Sequence, residues 1–217
     1  MPAPYTNYPQ AADLSTFLQA TGLTAGSSGL TTSVPWAWLN LADRMSAGIN
    51  QYEQLASRVM LAQTATYTFD PPGNACRKLA LNADLAQLTS LTVQGQPLTL
   101  NTNFWLYPQN AGVMGKPYTW IEFLYPIAWV RQSIAITGLW GKYIALPAMT
   151  WDGMLAAAAL DCYPQLAANL ANGFVQLKEK DEMVSAGPEP LGYLKAAWTK
   201  TFERGWQADR RVESFAW

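Results

Sequence analysis

Apolar residues in the first part of the chain recur at steps of three and four, the spacing that keeps side chains on one face of a helix. In AADLSTFLQATG this places Leu14, Phe17 and Leu18 together ahead of Gly22, and predicts a short helix over about residues 10–21. Residues 24–33, TAGSSGLTTS, are rich in Gly, Ser and Thr and predict a loop. Ser33 and Pro35 then supply the polar cap and first-turn proline that open a helix. From Pro35 to Gln63, Trp38, Leu41, Met45, Ile49, Tyr52, Leu55 and Val59 line one face, while Asn40, Asp43, Arg44, Asn50, Gln51, Gln54, Ser57 and Arg58 line the other. Such a helix of about 29 residues would be roughly 43 Å long. Gly48 in its interior costs up to about 1 kcal/mol relative to alanine, a loss that a close helix crossing would offset.

Between Thr64 and Leu146 the pattern changes to short β-branched and aromatic runs divided by Gly, Pro and Asn. The runs are TATYTFD, RKLALN, LTVQGQPLTL, NFWLYPQN, YTWIEFL and SIAITGLWGKY. Residues 65–69 and 134–137 alternate, which predicts an antiparallel sheet joined by hairpins and packed on one face, with Gly95 at a hairpin tip.

After Pro147 the period returns to that of a helix. Thr150 reads as a cap for WDGMLAAAALDCY, a run apolar almost all round and so suited to burial. Pro164 lacks an amide hydrogen and its ring collides with the preceding turn, so it should kink or end this helix near Tyr163, with a second segment to Asn172. FVQLKEKDEMVS, at residues 174–185, is open between helix and strand and leans to helix. Beyond GPEPLG, the residues Leu191, Leu194, Trp198, Phe202 and Trp206 regain helical spacing. The fold class is therefore α+β: mainly a helical bundle with a long helix, interrupted by an inserted small antiparallel β-sheet subdomain. The expected parts are residues 1–63 (helical), 64–146 (β) and 147–217 (helical with a tail), the first and last forming one composite domain.

Composition narrows the function. A chain of 217 residues can bury roughly 70 per cent of the surface its unfolded form exposes. Only 13% of residues are charged, about half the share in an average soluble domain, beside ten Trp, ten Tyr and seven Phe. So apolar a surface predicts cover by partners, and oligomerisation first. A net charge of −1 lacks the basic footprint of a protein that grips phosphates tightly. No apolar run reaches the length of a membrane span, and the N-terminus does not resemble a secretory signal, so no membrane association and a cytoplasmic origin are expected. Cys76 and Cys162, without a CxxC pattern, are expected to be reduced.

The chain contains no histidine, which removes the commonest general base, the serine triad and the Cys-His dyad. Two cysteines cannot build a Cys-only zinc site, and the acids Asp13, Asp43, Asp70, Asp84, Asp152 and Asp161 lack calcium-loop spacing. Phosphate-binding glycine motifs are missing. Glu122 paired with Asp70 or Asp152 could serve a glycosidase, but alternation in YTWIEFLY turns Glu122 away from the buried side and toward water or a neighbour. Trp105, Trp120, Trp129, Trp140 and Trp151 could stack bases, yet only Lys116, Arg131 and Lys142 lie near, so packing and interface roles fit better. No catalytic residue, metal site or cofactor is expected.

The succession RKLALN, LTSLTVQGQPLT, FWLYPQN, KPYTWIEF and SIAITGLWGKY, followed by proline and an alanine-rich helix, resembles the head-tail connector proteins of tailed bacteriophages, also called adaptor or head-completion proteins. The matching motifs are VQG at residues 93–95, LYP at 106–108, PYTWI at 117–121 and TGLWG at 137–141, within a resemblance covering about residues 64–163. It implies a structural virion protein of the phage neck, made in the host cytoplasm and not an enzyme. The subunits would form a homo-oligomeric ring of twelve that docks on the portal protein, joins head to tail through a tail or neck protein, and lets genomic DNA pass its lumen without sequence-specific binding. A closed ring needs two different complementary patches per subunit. Family adaptors commonly reach the portal with a C-terminal segment, which makes Arg210, Arg211, Phe215 and Trp217 the candidate portal-binding residues. The competing reading is a virion carbohydrate- or receptor-binding module using surface aromatics, and a third is a small hydrolase with carboxylates.

Overall fold

The computed structural model describes residues 5–20, 39–72, 77–177 and 192–210. The fold is α+β, with a small antiparallel sheet inserted between helices. Two compact units divide the chain: one comprises residues 1–7 and 58–147, the other residues 8–57 and 148–217.

In the helical unit, α1 (Ala11–Ala20) buries Leu14 and Leu18, as their spacing predicts. The long helix is shorter than its apolar pattern suggests. Residues 35–38 lie outside the described residues, Asn40 is left-handed (φ 44°), and α2 runs over Leu41–Ala56, about 24 Å instead of 43 Å. Ser57 is left-handed too, and its N–H returns to the carbonyls of Glu53 and Gln54, closing the helix about seven residues early. Val59 and Met60 kept the helical spacing by coincidence, because their carbonyls accept the amides of Lys142 and Tyr143 in the sheet unit.

The helix α3 (Ala148–Leu177) continues through Pro164, so of the two expected effects, a kink or an end near Tyr163, the end does not occur. The proline lies on the exposed side while Cys162 and Leu166 on either side are buried, so packing holds both turns despite the lost hydrogen bond. Thr150 is inside this helix and does not cap it. Residues 178–185 lie outside the described residues, although residues 174–177 are helical. The last helix, α4 (Gly192–Asp209), buries Leu194, Trp198, Phe202, Gly205 and Asp209 along one stripe.

The three long helices approach closely where side chains vanish. A Cβ on Gly48 would lie 2.5 Å from the backbone nitrogen of Ala158, within the fully buried run Ala156, Ala157, Ala158 and Ala159. Tyr52 fills the adjoining space. A Cβ on Gly153 would meet its ring at 2.6 Å and one on Gly205 would meet its hydroxyl at 2.9 Å. That hydroxyl donates to Asp209 Oδ2 at 2.7 Å, and Thr150 Oγ1 donates to the same oxygen at 2.6 Å. The buried Asp209 carboxyl is thus held by hydrogen bonds from two helices.

The sheet has the order β1-β6-β2-β5-β4, with every ladder antiparallel and β3 paired on β2. The strands are β1 (Gln63–Phe69), β2 (Lys78–Val93), β3 (Gln96–Pro97), β4 (Phe104–Tyr107), β5 (Tyr118–Phe123) and β6 (Ile134–Trp140). Residues 78–82 of the predicted run RKLALN and residues 91–93 of LTVQGQPLTL belong to β2, one strand of 16 residues, and Gln96–Pro97 of the second run form β3. Its first part pairs with β5 and its second with β6, and Leu85 faces Tyr118 on one side and Trp140 on the other. Register shifts around Leu85 turn the strand. Leu79 and Leu81 from the first part and Leu91 from the second therefore enter one core with Phe104, Ile121, Ile134 and Trp140. Gln94 (φ 50°) and Gly95 (φ 78°) make the two-residue hairpin tip, with positive φ at both positions as a tight turn of this hand requires.

At the turning point Asp84 is buried, and its Oδ2 lies 3.3 Å from Arg58 Nε. Neither carboxylate oxygen has a hydrogen bond among the described residues, so Arg58 alone compensates the charge. Cys162 is free and fully buried, and burial pushes its thiol up to about 11.

Three outcomes follow. Gly48→Ala should lower unfolding free energy by about 1–3 kcal/mol in a denaturant titration, because Ala158 backbone cannot move alone. Arg58→Met should cost about 3–5 kcal/mol by leaving a buried charge, and the double change Arg58→Met with Asp84→Leu should recover most of the loss. At pH 8 the Cys162 thiol is almost wholly protonated as well as shielded, so iodoacetamide should label its peptide only in denaturant, as read by mass spectrometry.

Candidate assembly surfaces

Alternation along β4 and β5 sends Phe104, Leu106, Ile121 and Phe123 into the core and Trp105, Tyr107, Trp120 and Glu122 to the other side. On that outer side Tyr107 and Trp120, directly opposite in the ladder, stack at 3.9 Å with planes 3° apart. Lys78 Nζ from β2 sits 4.9 Å from the Trp120 ring centre. Because β2 and β4 flank β5, the Trp120 ring lies between Lys78 and Tyr107, and both of its faces are occupied. Glu122 turns outward as its alternation predicts and faces Lys78 and Trp105 in the register.

The five tryptophans considered as stacking platforms separate by environment. Trp140 and Trp151 are buried, Trp105 and Trp120 half-buried, and Trp129 exposed. Trp140 donates its indole N–H to the carbonyl of Ala65 at 3.1 Å and packs beside Tyr67 and Phe69. Of the bases near them, Lys116 and Arg131 are exposed, and Lys142 lies over its neighbour Tyr143.

Among the described residues, nine of the twelve exposed large apolar side chains belong to the sheet unit. The β4–β5 connection carries Val113, which is 93% exposed, and Met114. Its backbone is nevertheless ordered by bonds from Ala111 N to Pro108 O, Met114 N to Asn110 O and Lys116 N to Ala111 O. The β5–β6 connection presents Tyr125, which is 72% exposed, with Trp129 and Val130. It is fastened at Gln132, whose amide donates to Asp70 Oδ1 at 2.6 Å, and at Ser133, whose amide returns to Val130. Fixed backbones with apolar tips lose little entropy on docking, which suits them to contact another protein.

Of the residues named from the sequence for portal binding, Arg210 is described, at the end of α4. Arg210 is exposed directly after Asp209, whose buried carboxylate fixes the end of the helix. Arg211, Phe215 and Trp217 lie outside the described residues. Asp209 itself was not singled out by sequence reasoning; its signal is its place in the buried stripe, seven residues beyond Phe202 and four beyond Gly205.

The carboxylates considered for hydrolysis have separate surroundings. Asp70 holds the β5–β6 connection, Glu122 faces Lys78, and Asp152 belongs to the helical unit. Burial raises the Asp152 carboxyl above its ordinary range. Among the described residues no three His, Cys, Asp or Glu side chains gather as metal ligands, and no helix is long and apolar enough to cross a membrane.

No protein-family model and no curated protein matches this chain. Solved structures do resemble it. A chain in the neck of an empty GTA particle computed with C6 symmetry has a TM-score of 0.51 at 16% identity, covering 99% of this chain and 97% of its own. Chains in the virion of a native gene transfer agent particle and in the neck of a native GTA particle computed with C12 symmetry give TM-scores of 0.48 and 0.44, both at 16% identity. The former covers 99% of this chain and the latter 89%, with 97% of the solved chain in each case. The fold of this chain, helices and inserted sheet together, is that of the chain from the empty-particle neck.

Proposed function

We propose that this chain is a structural subunit of a phage-type neck: an adaptor that assembles as a ring of twelve, docks on a portal protein and receives a tail or neck protein on its other side. The observation that carries the reading is the near full-length fold shared with a chain from a particle neck. The strand motifs at residues 93–95, 106–108, 117–121 and 137–141 point the same way. So does the surface, poor in charge and carrying ordered apolar tips that a free monomer would expose to water. A neck computed with C6 symmetry accords with rings whose copy number is a multiple of six, twelve among them.

In this reading the virion neck is the site of action and no reaction is catalysed. DNA crosses the lumen without being read, because a nearly neutral subunit holds phosphates weakly. Residues 210–217 follow α4 in the sequence, and Arg210, Arg211, Phe215 and Trp217 would supply two cations and two aromatic rings to a portal surface, a combination common in binding hot spots.

Light scattering on the purified chain, alone and mixed with the portal protein of its particle, should show a closed multimer in at least one of the two. A monomer in both overturns the reading. Removing residues 210–217 should reduce portal recovered in a pull-down at least tenfold, whereas undiminished recovery excludes the tail from that contact.

A further inference from the structure

The helical unit separates its charges by helix. Asp13 on α1 and Asp43 and Glu53 on α2 are acidic, and the one base on these helices, Arg44, is bound to Asp161 of α3 at 2.9 Å. Asp13 accepts the Gln10 amide at 2.7 Å, Asp43 the Asn40 side-chain amide and Glu53 the Tyr8 hydroxyl, and Asp13 and Asp43 each keep their other oxygen for a further donor. The helix α4 carries Lys195, Lys200 and Arg204 against Glu203 and the buried Asp209. Lys195 lies over the Tyr163 ring, 5.0 Å from its centre. Lys200 and Arg204, four residues apart and thus on one face, have no ion pair among the described residues.

These two cations line a cleft of about 310 Å³ with Thr201 of the same helix and Met149 and Asp152 from the start of α3. The Thr201 hydroxyl already donates to the carbonyl of Ala197. An occupant therefore needs acceptors for Lys200 and Arg204, a donor for Asp152 and an apolar group beside Met149. A polypeptide bearing a carboxylate offers all three. A phosphodiester backbone offers acceptors only, and would bring its charge against Asp152.

We propose that this cleft docks a neighbouring copy of the same chain, whose first-turn carboxylates, Asp13 of α1 and Asp43 of α2, meet Lys200 and Arg204. The inference rests on the ring reading above. It assigns the two unlike patches that a closed ring requires, a cationic cleft on α4 and the first-turn carboxylates of α1 and α2. Complementary charge at such a contact fixes which patch meets which.

The test uses the assembled full-length chain, mixed from ordinary and nitrogen-15-labelled copies, with portal present if assembly requires it. A carbodiimide joins an amine to a carboxylate only where they touch. Mass spectrometry should find Lys200 joined to the Asp13 or Asp43 peptide with mixed isotopes. Lys200→Glu with Arg204→Glu should lower the assembled fraction at least tenfold, as should Asp13→Lys with Asp43→Lys, and combining all four should restore it. Rings that form with no such mixed link, or that tolerate the charge reversals, overturn this inference and leave the ring reading standing. Absence of any assembly overturns both. Duplex DNA binding that is lost on Lys200→Glu with Arg204→Glu, without loss of assembly, would reassign the cleft to nucleic acid. The cross-link is read on the unaltered sequence, so a variant that fails to fold does not remove the test.

Discussion

The helical unit depends on backbone approach at positions that have no side chain. Gly48 lets α2 lie directly against the Ala158 backbone, and Gly153 and Gly205 open the space that the Tyr52 ring fills. Three helices then share one residue, and its hydroxyl ends on the buried carboxylate of Asp209. Such a contact is sensitive to any added atom, because interiors are packed to the density of organic crystals and cannot absorb a methyl group without moving backbone. The alanine run of α3 follows from the same constraint. Larger residues at positions 156–159 would hold the neighbouring helices away.

The sheet unit solves a different problem, enclosing a core with few strands. A strand of 16 residues serves two partners in succession, and its register shifts at Leu85 bring both parts of the sheet onto one apolar cluster. Close approach matters here too. A Cβ on Gly138 would lie 2.3 Å from the Gln87 carbonyl, and one on Gly141 would lie 2.6 Å from Ala62. The Asp84–Arg58 pair sits at the same turn, a buried carboxylate beside one compensating cation.

These two cores leave a division of labour on the surface. Among the described residues the sheet unit carries most of the exposed large apolar side chains, several of them on connections whose backbones are already bonded in place. The helical unit carries the segregated charges and, at the end of α4, the start of the tail. Apolar tips give contact area, while charges choose between partners and set register. The ring proposed above would need both, since each copy would have to accept the same neighbour in the same orientation around the whole circle.

Much of this was legible in the chain. Helical spacing located α1 and α4, alternation located the strands and turned Glu122 outward, VQG located the hairpin tip, and Gly48 marked a close crossing. The absence of histidine and the scarcity of charge needed no structure. Element ends were decided elsewhere. Apolar spacing ran past Ser57 because Val59 and Met60 face a different set of partners, and Pro164 failed to end α3 because burial on both sides outweighs one lost hydrogen bond. Only the tertiary structure could unite parts of two runs into β2, bring Asp209 to Tyr52 across 157 positions, or set Lys200 and Arg204 beside Asp152 in one cleft. Periodicity records which face of a segment is buried. It carries no record of what that face meets, because distant parts of the chain become neighbours only through packing.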